Sequence, residues 1–417
     1  MVLAAQTRKP PVRNLPPSAF KLISVEVSGT QRYKPEDVAL ATGLQLGQTV
    51  HEDDFKDASR RLGDSGAFAD VAYSFEYSPD GTKLDLQVHD AEHFAPVCFE
   101  NLVWFSDQEL FDKLHAQVPL FNGQLPVTGQ LPDDVSEALQ ILLIEKKVAG
   151  RVDYVRVAKE DGPTEAFAFS VTGPRITIHK VEFSGASAAE LPALEAVARR
   201  LQGSDYVRPT LHTEEERAFL PVYLERGYLR AAFGDPLAKV VPSDEDETLV
   251  DVIFPVNPGP QYQTARIEVA GYKALPVDTL RKTLHLQLNQ PVNAVQLARD
   301  VETMKHIYGA HGYMAATIKI EPEIDDAQHT VKYRIPIQEG DVYKMGDLDI
   351  FGLDSHTRDH LQNEWTLRAG ETYDSSYPGR FLQQVYKEIG DWNVDVHETL
   401  TQKEKTVDVT LRFQSHQ

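Results

Sequence analysis

The chain has 417 residues, of which 41% are hydrophobic, 25% charged and 9% aromatic, and its formal net charge is −21. That length exceeds one small core and predicts several domains, and the composition excludes a disordered or fibrous chain. A field this negative repels phosphate backbones and anionic headgroups, which argues against nucleic acid as a partner.

In chain order, Met1 to Gln6 lack the basic stretch and the roughly 7 to 15 apolar residues of a secretory signal, so a signal was removed ahead of Met1 or was never there. Residues 1–19 read as a flexible leader, because Pro10, Pro11, Pro16 and Pro17 lie among polar residues. The longest apolar run, Leu139 to Ile144, falls well short of the roughly 20 residues of a spanning helix, so the chain as given reads as soluble. From Phe20 a repeated pattern begins. Ile23-Ser24-Val25-Glu26-Val27-Ser28-Gly29 alternates as a half-buried strand ending on glycine. A helix over Phe55 to Gly66 follows, and Val71 to Tyr77 with Leu84 to Val88 form a hairpin around Ser78-Pro79-Asp80-Gly81.

The strand returns at Val97-Cys98-Phe99-Glu100-Asn101, where asparagine stands in for glycine as the residue next best able to take positive φ. Its helix, Val135 to Gly150, lacks the aromatic that closes the others. Cys98, the only cysteine, reads as a small buried hydrophobe; a chain without disulfides fits either redox compartment. Further copies start at Ile178 to Gly185, Ile267 to Gly271 and Leu348 to Gly352. Their second helices close at Gly227-Tyr228, Gly312-Tyr313 and Gly390-Asp391-Trp392, with the glycine read as a left-handed C-terminal cap. The closing strands are Val250 to Phe254, Ala316 to Glu321 with Val331 to Ile337, and Val407 to Leu411. Gly29, Gly185, Gly271, Gly352, Gly227 and Gly312 are therefore expected to be structural turn residues.

The unit is β-α-α-β-β, and five copies predict an α+β tandem array in which each three-stranded mixed sheet is covered by two helices. The expected limits are 20–92, 93–173, 174–260, 261–341 and 342–417. A unit of this order, with glycine after the first strand and Gly-Tyr closing the second helix, resembles the POTRA domain, and the resemblance covers about Phe20 to Phe413. Five in series look most like the periplasmic arm of BamA-type outer-membrane assembly factors. The resemblance implies a non-enzymatic chain in the periplasm, attached to the outer membrane. It also implies unfolded outer-membrane polypeptides as clients, accessory envelope lipoproteins as partners, and a transmembrane barrel after the last repeat. Here only Gln414 to Gln417 follow, so either a barrel is encoded further on or this is a soluble relative.

Candidate chemistry is sparse. Gly63-Asp64-Ser65-Gly66, with His51 upstream, invites comparison with a serine nucleophile loop, but the same helix-to-strand turn recurs in the other copies and explains its glycines. His356 and His360 share a helix face as a possible zinc half-site without a third ligand, and His306 and His311 point apart as surface or cap residues. The acidic run Asp244 to Glu247 lacks the spacing and central glycine of a calcium loop. Neither a metal nor a cofactor is expected. What remains is backbone chemistry: an edge strand can accept an extended peptide as another strand. The candidate edges are Leu237 to Val241 and Ala316 to Ile320, giving Leu237, Lys239, Val241, Ala316, Ile318 and Ile320 as polypeptide-binding positions. The family pattern implies the second strand of each unit at the edge and the third in the middle. A structural spacer without client binding is the alternative, and an envelope hydrolase with a cryptic site the third.

Overall fold

The computed structural model describes residues 15–415 apart from 159–161, 163, 243–246 and 391. The first repeat opens with a 3-10 turn at Pro17–Phe20, followed by β1 (Leu22–Ser28), α1 (Pro35–Ala41), α2 (Glu52–Asp64), β2 (Phe68–Ser78) and β3 (Gly81–Asp90). The second has β4 (Phe94–Phe99), α3 (Asp107–Gln117), β5 (Gln124–Pro126), α4 (Leu131–Glu145), β6 (Arg151–Ala158) and β7 (Thr164–Thr172). The third has β8 (Arg175–Ser184), α5 (Leu191–Ala198), α6 (Arg208–Glu214), a π-helical turn at Glu215–Phe219, α7 (Leu220–Leu224), β9 (Ala232–Phe233), β10 (Leu237–Val241) and β11 (Glu247–Asn257). The fourth has β12 (Gln263–Ala270), α8 (Val277–Arg281), α9 (Ala294–Ala310), β13 (Thr317–Ile318), β14 (Glu321–Asp325) and β15 (Thr330–Gln338). The fifth has β16 (Lys344–Phe351), α10 (Ser355–Glu364), α11 (Tyr377–Ile389), β17 (Trp392–Thr401) and β18 (Thr406–Ser415). Contacts group the chain into two compact units. One holds Met1–Ser184, Glu195–Glu215 and Gly234–Pro255, the other Gly185–Leu194, Glu216–Phe233 and Val256–Gln417.

All five sheets share one plan. The last strand is central, the first lies parallel on one side, and the second lies antiparallel on the other, as in β1-β3-β2 and β16-β18-β17. Period-2 alternation sends every second residue of the central strand inward. Leu84, Leu86 and Val88 are buried this way, as are Phe167, Phe169 and Val171, then Val331, Tyr333, Ile335 and Ile337, and Val407, Val409, Leu411 and Phe413. The first two repeats do not keep separate cores. Their buried residues form one cluster, and Leu62 of the first lines the same cavity as Leu120 and Leu131 of the second.

Glycine after the first strand meets the central strand. Gly271 has φ +86°, and a Cβ there would lie 2.2 Å from the Ile337 carbonyl oxygen; Gly29, Gly185 and Gly352 repeat the arrangement. Asn101 departs from expectation, since it is not among the residues with positive φ. Its side chain does the job instead, donating to the Val171 carbonyl at 2.9 Å and accepting from the Val171 amide at 2.7 Å.

The second glycine class, read as helix caps, carries a further contact. The carbonyls of Gly227 and Gly312 accept the amides of Tyr262 and Tyr343, each at 2.8 Å, so each glycine holds the start of the following repeat. Both tyrosines are buried, and their own carbonyls accept from Val292 and Tyr373. Two other expectations need correction. Pro17 and Ser18 belong to a helical turn that buries Ala19, not to an extended leader, because Lys21 and Ala19 donate back to Ser18 and Pro16. Cys98 is exposed: it lies on the face of β4 opposite the buried Phe99.

Candidate functional site

The side-chain candidates dissolve on inspection. The Ser65 hydroxyl donates to the Leu62 carbonyl and accepts from the Ala67 amide, which occupies it as a helix-end cap. Partial desolvation, reinforced by Glu100, pushes the Cys98 thiol above its ordinary value and away from the reactive thiolate. His356 and His360 both lie on α10, and among the described residues no three His, Cys, Asp or Glu side chains gather to hold a metal. In the acidic run, Asp244 to Asp246 lie outside the described residues, and Glu247 accepts from the Thr177 hydroxyl beside Arg175.

The backbone offers more. On the outer side of the first strands, the segment entering the second helix folds back and bridges the strand start, at Lys21–Thr49, Thr177–Asp205, Gln263–Pro291 and Lys344–Thr372. In the second repeat that bridge widens into β5, which pairs with Phe94, Ala95 and Pro96. The second strands have no such strand cover among the described residues, so β2, β6, β10, β14 and β17 are sheet edges. Side chains already take some of their outward groups: the Val152 amide of β6 donates to Gln140 and its carbonyl accepts from Ser136, and the Val71 carbonyl of β2 accepts from Ser59.

The free edges differ in length, and proline in the central strand sets the difference. β2, β6 and β17 run unbroken for 11, 8 and 10 residues. In the fourth repeat the register from Ile318↔Ile337 to Glu321↔Arg334 is continuous, yet the strand breaks where it passes Pro336, which has no N–H to give. Only the Lys319 amide still bonds to the Pro336 carbonyl, at 3.2 Å. Pro255 does the same in the third repeat, where the Gly234 amide bonds its carbonyl and β9 and β10 are left as pieces of 2 and 5 residues.

The edge residues nominated from sequence fall as follows. Leu237, Lys239 and Val241 lie on β10, opposite Ile253, Asp251 and Leu249, on the sheet face away from the buried Val250 and Val252. The segment Ala316 to Ile320 is not one edge strand. Ile318 is buried in the core of its repeat, Ala316 and Ile320 pack partly against that core, and the antiparallel edge is carried instead by Glu321–Asp325. Sequence reasoning nominated none of the three unbroken edges β2, β6 and β17; a central strand without proline was the available signal.

Known proteins supply an independent comparison. A family model described as POTRA, surface antigen variable number repeat, matches residues 262–340. A curated relative from Treponema pallidum (strain Nichols), "Putative outer membrane protein assembly factor", is 22% identical over 211 residues, covering 49% of this chain and 25% of the relative. The chain thus spans about a quarter of the length of the curated relative it matches. Among solved structures, Haemophilus influenzae BamA POTRA3-5 aligns with 19% identity and a TM-score of 0.48, over 58% of this chain and 96% of that one. POTRA1-3 of the periplasmic domain of Omp85 from Anabaena aligns with 17% identity and a TM-score of 0.27, over 59% and 98%.

Proposed function

We propose that this chain, whose fourth repeat is a POTRA domain, is a non-catalytic periplasmic arm that binds polypeptides during assembly and insertion of outer-membrane β-barrel proteins. The observation that carries the reading is the common sheet order, which leaves the second strand of all five sheets open on its outer side. A client strand added there gains main-chain hydrogen bonds worth about 0.5–1.5 kcal/mol each net, so four or five of them leave weak binding after ordering costs. Weak pairing that ignores side-chain identity suits a handler of many unfolded clients. In this reading the clients are unfolded outer-membrane polypeptides, accessory envelope lipoproteins dock on the same array, and an outer-membrane barrel in the full-length protein anchors it. The proposed divisions between domains fall after residues 92, 173, 260 and 341.

A rigid spacer without clients is the competing reading, and the Gly227–Tyr262 and Gly312–Tyr343 backbone contacts favour it. Photocrosslinkers placed at Ser74, Val155, Lys239, Glu323 and His397, one on each free edge, separate the two. Crosslinks to an unfolded outer-membrane polypeptide at edge positions, and none from the exposed helix residue Asp57, support client binding. Capture at none of the five edges refutes it.

A further inference from the structure

The five sheets have the same core face but different solvent faces. Taking the middle row across the three strands of each sheet, the first repeat shows Ser74–Asp85–Glu26 and the third Lys239–Asp251–Lys180. The fourth shows Glu323–Lys332–Arg266 and the fifth His397–Thr410–Asp349. The second shows Val155–Ala168–Cys98, the one row of the five without a charge. The next row toward the hairpin, Val157–Ala166, is apolar too. Small residues in the central strand leave a shallow surface, and the two valines at its rim are 61% and 42% exposed. Ala168 at the centre of the row is itself 3% exposed, so the exposed apolar surface is the strip along β6 formed by Val155 and Val157.

The surface ends at the edge of β6, where the backbone groups of Val152 are taken by Gln140 and Ser136 and the open stretch runs from Tyr154 toward Ala158. The occupant that suits both the surface and that stretch is a further strand. Charge narrows the choice. Arg156 stands between the two valines in sequence and projects to the opposite face over the Phe167 ring, beside the Tyr154 hydroxyl that donates to Asp133, and among the described residues it makes no ion pair of its own. The other long edges are acidic, with Asp70 and Glu76 on β2 and Asp395 and Glu398 on β17, and β14 carries Glu321, Glu323 and Asp325. β6 itself carries Arg151, Asp153 and Arg156, and because Arg151 pairs with Asp153 at 3.1 Å the strand keeps one positive charge in excess at Arg156, so a strand bearing carboxylates is repelled by those three edges and attracted to that position of β6. On β10, Lys239 would also attract it, but the charged middle row there offers no apolar seat.

We infer that β6 is a selective docking edge for an extended polypeptide segment with aliphatic residues at alternate positions and an acidic residue between them. The aliphatic side chains pack beside Val155 and Val157 on the outer face, and the carboxylate lies opposite Arg156 on the other. This rests on the edge-binding reading proposed above and adds to it a particular repeat and a side-chain pattern.

The test uses the full chain and a fluorescently labelled ten-residue peptide alternating Val and Glu, with a Val/Lys peptide and a Ser/Glu peptide as comparisons. Anisotropy gives affinity, and hydrogen exchange with and without peptide gives location. The Val/Glu peptide is expected to bind at least tenfold tighter than either comparison and to protect β6. Val155→Lys with Val157→Lys, both at exposed positions, is expected to lose at least tenfold while β7 keeps its exchange protection, which shows the repeat still folded. Arg156→Glu is expected to invert the preference toward the Val/Lys peptide, a result that a merely structural role for Arg156 does not produce. Unchanged affinity in the double valine variant, or an uninverted preference in Arg156→Glu, overturns the inference. Peptide protection at β2, β10, β14 or β17 in place of β6 overturns it while leaving edge binding standing, and protection of no edge overturns both. Concentration-dependent protection of β6 without peptide would make the occupant a second copy of this chain and overturn the occupant named here.

Discussion

Gly352→Ala and Gly370→Ala form a matched pair within the fifth repeat. Their φ angles are +88° and +87°, so an alanine at either site carries the same left-handed backbone cost, about 1 kcal/mol. Their surroundings differ completely. A Cβ at Gly370 meets no atom within 4 Å, whereas one at Gly352 would lie 2.0 Å from the Phe413 carbonyl oxygen and 2.9 Å from its carbonyl carbon. Both atoms are backbone of the central strand, so no side chain can swing aside. β16 must separate from β18 where Phe351 pairs with Arg412, and Phe413, which is 3% exposed, must shift out of the core. Disturbing about two end-of-strand hydrogen bonds at about 1 kcal/mol each adds to the backbone term, for a total of about 3 kcal/mol. A single melting temperature would mix several repeats, so the measurement is native-state hydrogen exchange of the full chain, read at the amides of β18. Gly370→Ala should lower their protection by about 1 kcal/mol and Gly352→Ala by about three times as much. Equal losses from the two variants would refute the collision and leave only backbone strain.

Asn101→Ala removes both side-chain bonds to the backbone of the buried Val171, and its β7 amides should lose about 2–4 kcal/mol of exchange protection; a loss below about 1 kcal/mol would mean that water takes over. Glu339 gives a pH dependence: burial pushes its carboxyl up, but the amides of Lys273 and Ala274 and the Tyr308 hydroxyl outweigh burial and hold it below the ordinary glutamate range. A depressed folded value means that its stabilisation is complete above the ordinary range and is lost as pH falls through the lowered one. The Lys273 and Ala274 amide resonances should therefore shift in that acid window in the parent and stay flat in Glu339→Gln; a shift that survives the substitution would assign it to another group.

The strands, the helix pairs and their order were legible because each obeys a short period, and the glycines because φ near +90° against a neighbouring carbonyl admits little else. Asn101 was legible as a substitute but not in its mechanism, since an amide that bonds across to Val171 leaves no trace in local spacing. The closing glycines were readable as caps because capping is a property of one helix. Their hold on Tyr262 and Tyr343 involves residues more than thirty positions away and was not. The broken edges are a different case: Pro255 and Pro336 sit in plain view inside the central strands, and their missing N–H predicts the interruption opposite them. The alternation Ala166-Phe167-Ala168-Phe169 likewise announces a sheet with aromatics on one face and only methyl groups on the other.

These two features bear on why one chain would carry several copies of the same unit. The core face of each sheet answers to its helices and so must stay apolar; the outer face and the edge are free of that constraint. A single proline in the central strand shortens the edge ladder in the third and fourth repeats, and a single residue per strand sets the charge of the middle row. Edge length fixes how many main-chain bonds a client strand can gain, and row chemistry fixes which strand is tolerated beside it. Under the edge-binding proposal, long acidic edges in the first and fifth repeats, a long one with an apolar outer row in the second and short ones between would be separate binding strengths and preferences built on one fold. An extended client held at one edge must then be released to another without any repeat changing its own structure. Hydrogen exchange of the β18 amides should therefore be the same with and without a peptide bound at β6, and a change there would count against the proposal.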